Sequence, residues 1–127
     1  LAALRRVPQP PHSAWELTAF YASMAIGEPP RPYYPKMALG VDAATGMILG
    51  HQLASPEHTM AQAAASGLVQ SIQASGSRPA AIKLDSINLI RALQPLANAL
   101  GVELHQAKTL PMVNEARRSL EAYNRQF

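Results

Sequence analysis

The chain has 127 residues, of which 48% are hydrophobic and only 15% charged; it has no cysteine and a formal charge of +3. That composition excludes a disordered chain, which is charge-rich and apolar-poor, and it excludes disulfides, thiolate metal sites and cysteine nucleophiles. No apolar run approaches the ~18 residues of a membrane-crossing helix and no signal segment opens the sequence, so a cytoplasmic protein without a membrane partner is expected. The chain starts at Leu1 rather than Met, as expected for part of a longer protein.

Residues 1–14 contain Pro8, Pro10 and Pro11 without a sustained period and read as a linker or N-terminal arm, leaving 15–127 as a single α/β domain. Trp15 to Tyr21 is rich in aromatic residues and predicts a strand. Gly27, Pro29, Pro30, Pro32 and Pro35 then predict an extended loop. Lys36 to Val41 alternates, with Met37, Leu39 and Val41 on one side, and predicts a second strand. Asp42 to Gly46 carries an acid that can bond its own turn and a glycine that can take positive φ, the signature of a hairpin loop. The return strand is Met47 to Ala54, with Met47, Leu49, His51 and Leu53 on one face.

Ser55-Pro56-Glu57 offers a cap, a proline suited to the first helical position and an acid for the positive end of the dipole; it predicts a helix to about Ser75, closed by Gly76. Ala80 to Asp85 predicts a fourth strand. Ser86 can cap a helix with the stripe Leu89, Leu93, Leu96 and Leu100, in which Pro95 predicts a kink or a break. Val102 to Ala107 alternates as a fifth strand, and Pro111 to about Gln126 predicts a last helix. The order β-β-β-α-β-α-β-α, an antiparallel hairpin followed by two right-handed crossovers, predicts an α/β fold with a mixed five-stranded sheet.

No phosphate loop, dinucleotide fingerprint, HExxH or nucleophile elbow is present. His51 and His105 fall in strand-like segments and read as structural or surface imidazoles. Among the acids, Asp42 is explained by its turn and Glu57 by the helix dipole. Asp85 falls at the carboxyl end of a parallel strand, where open α/β sheets place ligands, although it can also cap the next helix with Ser86.

In Trp15-Glu16-Leu17-Thr18, Val41 to Gly50, Arg78 to Asp85 and Asn114-Glu115-Ala116-Arg117-Arg118, taken in that order, the chain resembles the ribonuclease H-like superfamily, in particular the catalytic cores of retroviral-type integrases and transposases. It is also similar to uncharacterised bacterial proteins of a domain family of unknown function. The resemblance implies two-metal phosphoryl transfer by three carboxylates. Asp85 and Glu115 match the second and third acids. Thr18 stands where the first aspartate is expected, and a neutral hydroxyl does not supply that charge. Glu16, two residues away on the same face, is the candidate to substitute.

The leading expectation is therefore a ribonuclease H-like module that has lost catalysis and binds or scaffolds within a larger protein, with no cofactor. Its partners would be other domains of the same chain or a separate protein. One alternative is a metal-dependent nuclease or strand-transfer enzyme using Glu16, Asp85 and Glu115 with magnesium or manganese. Nucleic acid is a further possible partner, and a nucleic-acid role would show a basic stripe formed by Arg91, Arg117 and Arg118, with salt-sensitive binding. The other is a small-molecule or protein-interaction domain that shares only the architecture.

Overall fold

The computed structural model describes residues 2–22, 35–55 and 57–125; most of the expected proline-rich loop, and Pro56, lie outside them. In chain order the elements are α1 (Ala2–Arg5), β1 (Ala14–Tyr21), β2 (Lys36–Asp42), β3 (Ile48–Leu53), α2 (Met60–Ser75), β4 (Ala81–Leu84), α3 (Ile87–Leu100), β5 (Glu103–Gln106) and α4 (Pro111–Arg125). They build a five-stranded sheet of order β3-β2-β1-β4-β5. β1 pairs antiparallel with β2 and β2 with β3, while β4 runs parallel to both β1 and β5. This is the mixed α/β sheet that the sequence predicts.

β1 is the central strand, so both of its faces are covered. Trp15 and Leu17 point into a cluster completed by Ala64, Leu68 and Ile72 of α2 and by Leu89, Leu93, Ala97 and Leu100 of α3. Phe20, on the opposite face by the two-residue period, joins Leu39 and Val41 of β2 and Leu110, Val113 and Ala116 at the start of α4. Thus α2 and α3 cover one face, and α4 covers the β1–β2 part of the other.

α2 lies unusually close to the sheet. A Cβ placed on Gly67 would run into the Cβ of Ala38, and Cβ atoms on Gly40 and Gly50 would meet the Ser71 hydroxyl. Glycine in mid-helix is intrinsically unfavourable, and here the close approach is what requires it.

The start of α2 differs from the sequence expectation. Thr59, not Ser55, is the cap: its hydroxyl accepts from the Gln62 N–H (3.1 Å) and the Gln62 side-chain oxygen accepts from the Thr59 N–H (2.9 Å). This reciprocal pair satisfies two helix-end donors at once, which serine followed by proline does not. Ser55 and Glu57 lie in the turn before it. Ser86 caps α3 as expected, accepting from Leu89 N–H. Pro95 neither splits nor ends that helix. It sits on the exposed face, where the Arg91 carbonyl it leaves free can meet water.

β3 begins at Ile48 rather than Met47, and a register shift opposite Gly40 and Val41 interrupts its alternation. β3 is an edge strand, and Ile48 and Leu53 within it, like Met47 just before it, are exposed.

Residues 2–13 carry one element more than the sequence predicts, the four-residue α1, and the segment is docked. Leu4 and Val7 pack against the cluster under α2 and α3. The Gln9 side-chain amide donates to the carbonyls of Pro79 (2.9 Å) and Gly101 (2.7 Å), and Arg5 to that of Ala99 (3.3 Å). The Arg78 guanidinium donates to the carbonyls of Val7 and Leu100, and its backbone N–H to that of Pro8. Three of these bonds, to the carbonyls of Ala99, Leu100 and Gly101, fall at the negative end of α3, where cations are favoured. Among the described residues no helix is long and apolar enough to cross a membrane.

Candidate functional site

β1, the residue just after β4, and α4 carry the acids that the sequence singles out, and each acid has a distinct environment. Glu16 lies in the middle of the sheet, paired in register with Val41 of β2 and Lys83 of β4. It is only 3% exposed. Its Oε1 accepts a hydrogen bond from the backbone N–H of Val113, in the first turn of α4, at 3.0 Å. Thr18 is two residues further along the same face and is also buried. Carried two residues onward, the parallel register sets Thr18 level with Asp85, just beyond β4. Asp85 is exposed to solvent.

Glu115 is elsewhere. It lines an open cleft of about 270 Å³ with Thr45, Gly46, Ile48, Met112 and Ser119. Its carboxylate pairs with Arg118 at 2.8 Å, with both side chains about 70% exposed. The β2–β3 turn lies beyond the amino end of β1, where Trp15 is level with Asp42. Asp85 lies toward the opposite, carboxyl end. From Glu16 the other two acids therefore diverge toward opposite ends of the sheet. Among the described residues no three His, Cys, Asp or Glu side chains are grouped so as to hold a metal ion. Magnesium and manganese need several converging oxygen ligands, and this donor set does not fit a pair of them.

The three arginines are not brought together. Arg91 is exposed on α3, on the α2–α3 side of the sheet, whereas Arg117 and Arg118 belong to α4 on the other side. Arg117 stacks its guanidinium 4.0 Å from the centre of the Phe20 ring and approaches Glu121 at 3.7 Å. Arg118 is the partner of Glu115.

Asp42, Glu57, His105 and His51 have settings of their own. Asp42 Oδ1 accepts from the N–H groups of Ala44 (2.8 Å) and Thr45 (3.1 Å), the turn role read from the sequence. Hydrogen bonds to its own backbone and to Ser55 hold the exposed Glu57 carboxyl below its ordinary pKa. His105 pairs with Glu103 at 3.2 Å on the exposed face of β5. His51 lines an open cleft of about 450 Å³ beside the β3 edge, with Gln70 and Leu120.

The Glu16–Val113 contact is the feature that sequence reasoning missed. One signal for it was present: Leu110-Pro111 opens a helix with no capping side chain, and Glu16 is the one acid in a mostly apolar central strand.

Sheet order and helix placement give the chain a ribonuclease H-like α/β fold of the kind seen in integrase catalytic cores. The chain is similar to the catalytic core of BIV integrase, with a TM-score of 0.65 and 16% identity over 91% of this chain and 74% of that one. It is similar to the HTLV-2 integrase catalytic core in complex with magnesium, with a TM-score of 0.56 and 12% identity over 84% and 65% of the two chains. It also matches a chain of the simian T-cell lymphotropic virus intasome, solved with a PP2A regulatory subunit, with a TM-score of 0.62 and 16% identity; there it covers 92% of itself but 41% of that chain. At these identities the likeness is one of fold. No curated protein matches the sequence. The chain belongs to the family described as "Domain of unknown function (DUF6930)", whose model matches residues 1–121.

Proposed function

We propose that this domain is a non-catalytic ribonuclease H-like module that binds or scaffolds within a larger protein. One observation carries this reading: Glu16, Asp85 and Glu115 are dispersed, one buried beneath a helix, one at the open end of the sheet and one paired with an arginine. Carboxylates gathered for a metal repel one another and require the cation; carboxylates placed apart do not. Thr18, at the position where the fold's first acid is expected, adds a neutral group at the heart of the region. The separation of Arg91 from Arg117 and Arg118 favours a protein partner, or a neighbouring domain, over nucleic acid, because only charges clustered in space make a basic footprint.

Calorimetric titration of Mg²⁺ and Mn²⁺ into the domain at low ionic strength tests this, with Asp85→Asn as the control. No saturable binding at millimolar metal is expected. Saturable binding that Asp85→Asn abolishes would sink the proposal and justify assays of DNA and RNA cleavage.

A further inference from the structure

We infer that Glu16 is the N-terminal cap of α4, supplied from β1 across the sheet, so that the strand's one carboxylate serves as a positioning group for the last helix and not as a metal ligand. A helix leaves its first four N–H groups without intrahelical partners. In α4 the residue at the cap position is Leu110, which is 1% exposed and has no side-chain acceptor. Pro111 has no N–H to satisfy. The first intrahelical bond is that of Asn114 N–H to the Leu110 carbonyl, at 2.8 Å. That leaves the N–H groups of Leu110, Met112 and Val113, and Val113 is itself 1% exposed. Its donor is shut off from water and Glu16 meets it.

The charge matters as well as the acceptor. α4 has no acidic residue in its first turn, so Glu16 also supplies the negative charge that the positive end of a helix favours. The contact spans 97 residues of sequence, joining the first strand to the last helix. α2 and α3 need no such help, because Thr59 and Ser86 cap them locally.

Amide hydrogen exchange, read by NMR on the whole 127-residue chain, tests the assignment. Glu16→Ala is expected to speed exchange at Val113 by about tenfold or more, as befits a lost hydrogen bond to a charged group. The amides of Leu93 and Ala97 in α3 should keep their rates. Glu16→Gln keeps an oxygen acceptor and should give an intermediate rate at Val113. If the alanine variant does not fold, the glutamine variant decides, by a rise confined to the first turn of α4. An unchanged Val113 rate in a folded alanine variant, or in the glutamine variant where the alanine variant does not fold, overturns the inference. So does protection of Val113 by millimolar Mg²⁺ that is present in the parent chain and lost in Glu16→Gln, because it would make Glu16 a ligand. The Asp85→Asn titration reads a different residue, so failure of the cap and failure of the non-catalytic reading are separable.

Discussion

Among the described residues, the face of the sheet beneath α2 and α3 gathers a cluster of twelve buried residues, while the face beneath α4 gathers six. The larger cluster is roofed by two helices whose starts are set by their own neighbouring residues. The smaller one has a single helix, begun by leucine and proline, and a buried carboxylate from the central strand stands in for the missing cap. With less apolar area to hold it, α4 depends more on one polar contact whose loss would leave a donor buried and unmet. The same contrast separates structure from chemistry: the position that could have contributed an acid to a metal site lies on the poorer face and is already occupied with packing.

The sharpest way to break this comparison is to damage the richer face. Leu93 is 1% exposed at the centre of the α3 stripe, and Leu93→Ala should cost about 2–5 kcal/mol in urea unfolding. A loss of only a few tenths would show that the α2–α3 face is not the principal core. Gly67→Ala probes the seam between α2 and β2. Alanine would gain up to ~1 kcal/mol of helix propensity, yet overpacking against Ala38 should give a net loss of about 1–3 kcal/mol. Net stabilisation would show that helix and strand can move apart freely. Thr59→Ala removes a local cap and should cost about 0.5–2 kcal/mol. Measured by exchange, its effect should stay within the first turn of α2, which gives the local standard against which the remote cap of α4 can be judged.

Much of the fold was legible because its signals are local. Asp42 and Gly46 mark a turn within five residues, Ser86 announces α3 three residues ahead of the amide it caps, and the alternation of Lys36 to Val41 shows strand and faces together. Ser55-Pro56-Glu57 misled because it satisfies the same rules as a true cap; four residues later, Thr59 and Gln62 satisfy them reciprocally and win. Of the candidate site, the chemical types were legible and their arrangement was not. Whether Glu16 faces a cation or a helix end depends on where Val113 comes to rest, and nothing within several residues of Glu16 encodes that. Docking of the first residues was hidden for the same reason, since the partners of Arg5 and Gln9 lie between Arg78 and Gly101.

That clasp has a consequence for the order in which the molecule can assemble. Arg5 and Gln9 find their acceptors 70 to 94 positions later in the chain, and closing so long a loop is slow compared with forming a hairpin or a helix. On the ribosome, where chains emerge at about 5–20 residues per second, the segment made early must wait several seconds until Gly101 has left the exit tunnel. Arg5 and Gln9 are thus synthesised well before the residues that secure them.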